Sequence, residues 1–200
     1  VVEGKIVLWG LLNCHRDSLV NPLVPVGKSY PLELEENDIQ NVKTTLATMV
    51  EKLSIKNGSM NVELVVDKEG RVWPIDVGPR SGGNMIPDLL GDMFGVDIAN
   101  LSVKAAMGEP IDTEIHTPSG CYATHNLHSR KNGIYMDITF DEEIKNYIYR
   151  TCLYKKKGDK VEYFDNAAKC LGIIFMKFDD RAEMKEVLER LDEYIHVDAE

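Results

Sequence analysis

The stretch from Met60 to Gly83 constrains the fold more than any other part of the chain. Met60 to Val66 is rich in β-branched residues and reads as a strand. Asp67-Lys68-Glu69-Gly70 follows as a tight turn, and Arg71 to Val77 reads as a second strand, so the two form a hairpin. Gly78 to Gly83 is a glycine-rich loop. Pairing residue 66 with 71 sets 63 roughly opposite 74, with 76 two positions further on. By the two-residue period of a strand, 63, 74 and 76 then share one face. Two carboxylates, Glu63 and Asp76, converge there beside Arg80. A hard divalent cation with oxygen ligands, Mg²⁺ or Mn²⁺, would relieve their repulsion and bridge to phosphate oxygens. Arg80 would add a planar, permanently charged phosphate clamp. The plainer alternative is a surface hairpin with cross-strand charges and a loop that caps the next helix.

The remaining pattern gives an α+β chain. Lys5 to Trp9 reads as a buried strand, and Asn13 to Lys28, with Pro22, Pro25 and Gly27, as a loop. From Glu36 the period becomes helical: Ile39, Val42, Leu46, Met49, Val50 and Leu53 form one apolar stripe that Asn57-Gly58 ends. Two short helices are predicted at 85–94 and 97–107. Gly108-Glu109-Pro110 is the expected domain boundary, dividing the chain into residues 1–110 and 111–200. Beyond it, Tyr122 to His128 and Ile134 to Phe140 flank Lys131-Asn132-Gly133, a hairpin signal. Leu171 to Phe178 reads as a buried strand. Arg181 to Ile195 reads as one amphipathic helix with Met184, Val187, Leu188, Leu191 and Ile195 on its apolar side. His125 and His128 stand three apart in a predicted strand, so they are expected to face opposite sides and not to chelate one metal together.

Charge and cysteine usage exclude whole classes of function. The net charge is −10 over 200 residues, and residues 179–200 alone carry nine acids against three bases. That balance argues against nucleic acid or an anionic membrane as the main partner. The rest of the chain is near neutral and leaves room for a phosphate site. No run approaches the roughly 18 apolar residues of a membrane span, and no secretion signal opens the sequence. The four cysteines are far apart and form no CxxC pair, which fits free thiols in a cytoplasmic setting. No GxSxG elbow and no phosphate-binding P-loop occur. The chain opens at Val1 directly into a strand-like run, which suggests a piece of a longer protein.

The Glu63–Gly83 segment resembles the metal-binding hairpin of ATP-grasp enzymes, a strand ending in Glu, a turn, then Glu-x-Asn-Pro-Arg. Asn13-Cys14-His15-Arg16-Asp17-Ser18, followed by Pro25 and Pro31-Leu32, is similar to the Gly-Val-His-x-Gly-Asp-Ser segment of carbamoyl-phosphate synthase large subunits. Gly95-Val96-Asp97 and Gly108-Glu109 match the end of that domain, and residues 111–200 look like the small C-terminal domain of the L-amino-acid-ligase branch. The resemblance implies the C-terminal half of an ATP-grasp fold, an antiparallel sheet with flanking helices followed by a small α+β domain. It implies an ATP- and Mg²⁺- (or Mn²⁺-) dependent carboxylate–amine ligase working through an acyl phosphate. Glu63 and Asp76 would be metal ligands. Arg80 would be the catalytic phosphate clamp, and His15, Gly82 and Gly83 would lie at the nucleotide. The implied partners are a small carboxylate, an amine and the N-terminal half of the same enzyme, with a homo-oligomer left open; the isolated chain is expected to be inactive. Two departures stand out: Asp76 is one methylene shorter than the usual Glu, and Gly78 replaces the usual Asn ligand. The rival reading is a non-catalytic nucleotide- or metabolite-binding module that keeps the fold.

Overall fold

The computed structural model describes residues 1–17, 19–111 and 114–200; Ser18 of the His15-containing motif lies outside them. In chain order the elements are β1 (Asn13–Arg16), β2 (Pro25–Tyr30), α1 (Glu36–Lys52), β3 (Asn61–Val66), β4 (Val72–Gly78), α2 (Ile86–Phe94) and α3 (Ile98–Met107). Then come β5 (Cys121–Leu127), β6 (Gly133–Phe140), α4 (Glu142–Lys145), β7 (Ile148–Leu153), β8 (Lys160–Val161), β9 (Gly172–Phe178), α5 (Arg181–Glu189), α6 (Leu191–Tyr194) and β10 (Ile195–Ala199). The fold is α+β with antiparallel sheets and flanking helices. No described helix is long and apolar enough to cross a membrane.

The chain divides into two compact units. The first holds Val1–Gly10 and Glu33–Pro118, and the second Leu11–Leu32 and Ser119–Glu200. A single cut at residue 110 therefore does not describe the contacts: Leu11–Leu32 joins the second unit because β2 pairs with β5 along Gly27–Tyr30.

In the first unit, α1 buries Val42, Leu46 and Val50, three members of the stripe read from the sequence. Its first turn carries Glu36 and Asp38 and its last turn Lys52, the charge order that a helix dipole favours. α2 adds Leu89, Met93 and Phe94 to the buried side. α3 starts on Asp97, whose side chain accepts the Asn100 amide hydrogen, and stops at Gly108 in the left-handed region. The strand expected at Lys5–Trp9 does not form. Lys5 makes only an isolated bridge with Val2, and no described strand lies alongside Ile6–Trp9 to complete a ladder.

In the second unit, a five-stranded sheet runs β1-β2-β5-β9-β7 and a three-stranded sheet β10-β6-β8. Their core joins Ala123, Leu127, Ile174 and Met176 to Tyr135, Ile138 and Ala199, with Met184, Val187, Leu191 and Tyr194 from the helices. Three expectations change here. The loop expected at 13–28 contains β1 and β2. β5 and β6 do not form a hairpin around Asn132-Gly133: β5 is flanked by β2 and β9, while β6 pairs with β10 and β8. Burial of every residue of β5 rewards that central position more than a local turn could. The helix expected over 181–195 breaks at Arg190, which leaves helical geometry at φ −116°, and Ile195 opens β10.

β5 buries His125 at 9% exposure. Desolvation, followed by repulsion from His128, holds the His125 ring down at about 3, so it is neutral in the fold. His15, Asp17, His128 and Arg130 are the charged or titratable groups around it. The unfolded ring binds a proton near pH 6.5, whereas the folded one does not. The resulting stability is complete above pH 6.5 and is lost as pH falls from there towards 3. Urea titrations should therefore show stability falling between pH 6.5 and 5, by up to about 1.4 kcal/mol per pH unit. His125→Phe should flatten that slope.

Candidate functional site

The β3/β4 hairpin is fastened at its turn by one carboxylate. Asp67 Oδ1 accepts the backbone N–H groups of Glu69 and Arg71, both at 3.0 Å. Its Oδ2 accepts from Trp73 Nε1 at 2.9 Å and Arg71 Nε at 2.7 Å. These donors, the indole foremost, hold the Asp67 carboxyl far below the usual carboxylate range. Asn41 of α1 donates to the Gly70 carbonyl at 3.1 Å, tying the turn to the helix.

The register differs from the one the sequence suggested, and the difference decides the site. Val66 pairs with Val72 and Leu64 with Pro74, but Glu63 pairs with Asp76, so Ile75 is an extra, bulged residue. The bulge shifts the register by one and places Glu63 directly across from Asp76. Side chains so paired have Cβ atoms about 4.5–5.5 Å apart. The expected shared face of Glu63 and Asp76 is therefore present, in a closer pairing than expected.

Asn61 pairs with Gly78 on the next rung of that same face. Sequence reasoning passed over Asn61, although its two-residue spacing from Glu63 was the available signal. Gly78 brings no side chain there, although one would fit: the nearest atoms to a Cβ built on it are Arg80 Cγ at 3.5 Å, Arg80 Nε at 3.7 Å and the Asn61 carbonyl oxygen at 3.7 Å, ordinary packing distances. The Arg80 side chain thus runs close to Gly78 at the end of the face that carries Glu63 and Asp76. It is exposed, with one N–H donated to the Ser81 carbonyl at 2.8 Å.

The loop beyond is tightly built on one side. A Cβ at Gly82 would lie 2.9 Å from Ile86 Cδ1 and 3.1 Å from Asn61 Oδ1, whereas one at Gly83 would meet nothing within 4 Å. Asn84 and Met85 both hold left-handed backbone, at φ 51° and 54°, immediately before α2. Two consecutive non-glycine residues in that region store strain, a feature common at ligand-binding loops.

His15 stands on β1 in the second unit, paired with Gly27, and its Nε2 meets Ser29 Oγ at 2.8 Å. The structure unites Glu63, Asp76, Arg80 and Gly82 within the first unit and places His15 in the second. His125 and His128 do not point to opposite sides as expected. β5 ends at Leu127, so His128 escapes the strand alternation, and the two rings lie 5.5 Å apart, centroid to centroid. Among the described residues, no group of three or more His, Cys, Asp or Glu side chains is placed to close a metal site by itself.

No family model matches the sequence, and no curated protein matches it significantly. Solved structures do. Phosphoribosylglycinamide synthetase from Anaerococcus prevotii superposes on all of this chain and 51% of its own length, with TM-score 0.83 and 20% identity. This chain has the fold of about half of such an ATP-grasp structure. L-amino acid ligase from Bacillus licheniformis follows with TM-score 0.75 and 21% identity over 90% of this chain and 45% of that one. The biotin carboxylase domain of 2-oxoglutarate carboxylase from Hydrogenobacter thermophilus, in complex with MgADP, ADP and bicarbonate, has TM-score 0.68 and 11% identity over 94% and 42%. The chain thus spans about half the length of the ATP-grasp structures it matches.

The two loop glycines make opposite predictions. Gly82→Ala should displace Ile86 and Asn61 and cost about 1–3 kcal/mol in denaturant unfolding. Gly83→Ala should be neutral to within about 0.5 kcal/mol.

Proposed function

We propose that this chain is part of an ATP- and Mg²⁺-dependent carboxylate–amine ligase of the carbamoyl-phosphate-synthase-like kind. The observation that carries the reading is the direct pairing of Glu63 with Asp76 beside Arg80. Like charges directly across a ladder are destabilising, and a divalent cation offsets that cost. The donor set fits Mg²⁺. Two carboxylates and the Asn61 amide are hard oxygen donors, and Mg²⁺ characteristically takes one or two protein carboxylates while phosphate and water complete its shell. Asn61 compensates for the missing side chain at Gly78, because the two positions share one rung. When bound, the ion would neutralise phosphate charge at the hairpin face.

The chain's own residues then divide the work. Glu63 and Asp76 fix where the nucleotide phosphates lie. Arg80 offers the transferring phosphoryl group a planar, permanently charged pair of donors. In the proposed reaction, a substrate carboxylate oxygen attacks the terminal phosphorus and ADP departs. The amine nitrogen then attacks the acyl carbon, phosphate leaves and the nitrogen loses a proton. Activation is needed because a carboxylate oxygen is a poor leaving group until it carries phosphate. Coverage of about half of each matched ligase supports a partner segment that completes the nucleotide cleft. The second reading, a binding module without turnover, is favoured by Gly78.

Mn²⁺ titration of the 200-residue chain, read by electron paramagnetic resonance, tests the paired site without needing catalysis. Glu63→Gln and Asp76→Asn should each weaken binding about tenfold or more, and Asn61→Ala by a smaller factor. Unchanged Mn²⁺ affinity in Asp76→Asn would remove the basis of the proposal. Calorimetry should give the chain alone an affinity for Mg·ATP no better than about millimolar, near −4 kcal/mol. In the longer protein, ADP release that requires both a carboxylate and an amine separates ligase from binding module. Arg80→Lys should cost that turnover about tenfold or more.

A further inference from the structure

The second unit contains a cavity of about 430 Å³ that the ligase reading does not use. It lies around His125, His128, Arg130, Lys131, Asp192 and His196. Its size falls within the range of small-molecule sites.

The polar groups of the cavity divide into committed and uncommitted ones. His128 meets the Asn126 carbonyl through Nδ1 at 2.6 Å and faces Asp17 Oδ2 through Nε2 at 3.4 Å. His196 Nε2 meets Asp141 at 3.1 Å. A single nitrogen of Arg130, Nη2, donates to both Asp17, at 3.0 Å, and Asp192. Those carboxylates are thereby satisfied, while Nε and Nη1 of Arg130 keep three N–H bonds that reach no acceptor among the described residues. The Lys131 ammonium likewise has no ion-pair partner among the described residues.

His125 is the most telling group. Its ring is more than nine-tenths buried, lines the cavity and makes no hydrogen bond among the described residues. Its ring nitrogens are not among the fully buried, unpartnered polar atoms, so they open on space that a ligand can reach. Here the cavity is where a partner can come from. Neutral imidazole supplies one N–H, and the open edge of Arg130 and Lys131 supply more. The unmet groups are thus mainly donors, so the matching ligand is rich in acceptors and carries negative charge. Leu191, Ile195 and Val197 line the same cavity and offer apolar surface for the body of such a ligand.

We propose that this cavity binds a small metabolite through its oxyanion, a carboxylate or phosphate group received by Lys131, the open edge of Arg130 and the ring of His125. The proposal stands on the second unit alone and does not depend on the β3/β4 hairpin.

The test is a titration of the 200-residue chain with isovalerate and, separately, with inorganic phosphate, ionic strength being held with sodium chloride. Histidine-ring ¹H–¹⁵N spectra should show saturable shifts at His125, with Kd about millimolar or tighter. Saturation by isovalerate alone assigns a carboxylate ligand, and saturation by phosphate alone a phosphoryl one. Lys131→Ala, on the exposed rim, should weaken binding at least tenfold by calorimetry. His125→Phe, checked for folding by circular dichroism, should do the same. If His125→Phe fails to fold, Lys131→Ala decides alone. Non-saturating shifts with both probes, or binding that either substitution leaves unchanged in a folded chain, overturns the proposal.

Discussion

β4 is one residue longer than β3 can match, and Ile75 absorbs the excess. With the register that begins at Val66 and Val72 carried through unbroken, Glu63 would fall opposite Ile75, and Asp76 would turn to the other face beside Val62. The bulge reverses that alternation for the last three rungs. It places Glu63 against Asp76, Asn61 against Gly78, and brings Arg80 round to the same end. Pro74, which cannot donate to a ladder, sits next to the irregularity, a position where proline is tolerated in sheets. The gathering of these side chains therefore rests on one backbone offset, fixed at its far end by the four bonds to Asp67.

The parts of the fold that the sequence revealed are those whose determinants are local. The stripe of α1, the Asp67–Gly70 turn, the stop of α3 at Gly108 and the buried run of β9 are each fixed by residues within a few positions of one another. The errors share the opposite property. β1 and β2 lie in a polar, proline-bearing stretch and become strands because β5 offers β2 an edge and β2 in turn offers one to β1. Asn132-Gly133 carries the chemistry of a tight hairpin, yet β5 and β6 find better partners elsewhere, and tertiary pairing overrides the turn. Arg190 sits inside a pattern that looks helical through Ile195, but β10 claims Ile195 for a ladder with Phe140.

The site shows the same division. That Glu63, Asp76 and Arg80 gather at one end of the hairpin is legible because strand parity and a glycine-rich loop are near-neighbour signals. The expected register is one step off at the turn, and the bulge adds a second step that restores the shared face; nothing in the composition announces that bulge except Pro74. Asn61 was missed because its meaning comes from the residue across the ladder, not from its neighbours in the chain. His128 was misjudged for a simpler reason: strand alternation applies only inside a strand, and β5 stops one residue short of it.

The bond from Trp73 to Asp67 has a consequence for observing the molecule. The chain has two tryptophans, and Trp73 is 53% exposed while its indole nitrogen is tied to a carboxylate at the hairpin turn. Its emission is therefore set by the integrity of that bond as well as by contact with water. With Trp9 replaced, the protein would carry a single optical gauge located at the turn. Fraying that loosens the ladder would register as a spectral change at Trp73, while the cores of both units stayed dark.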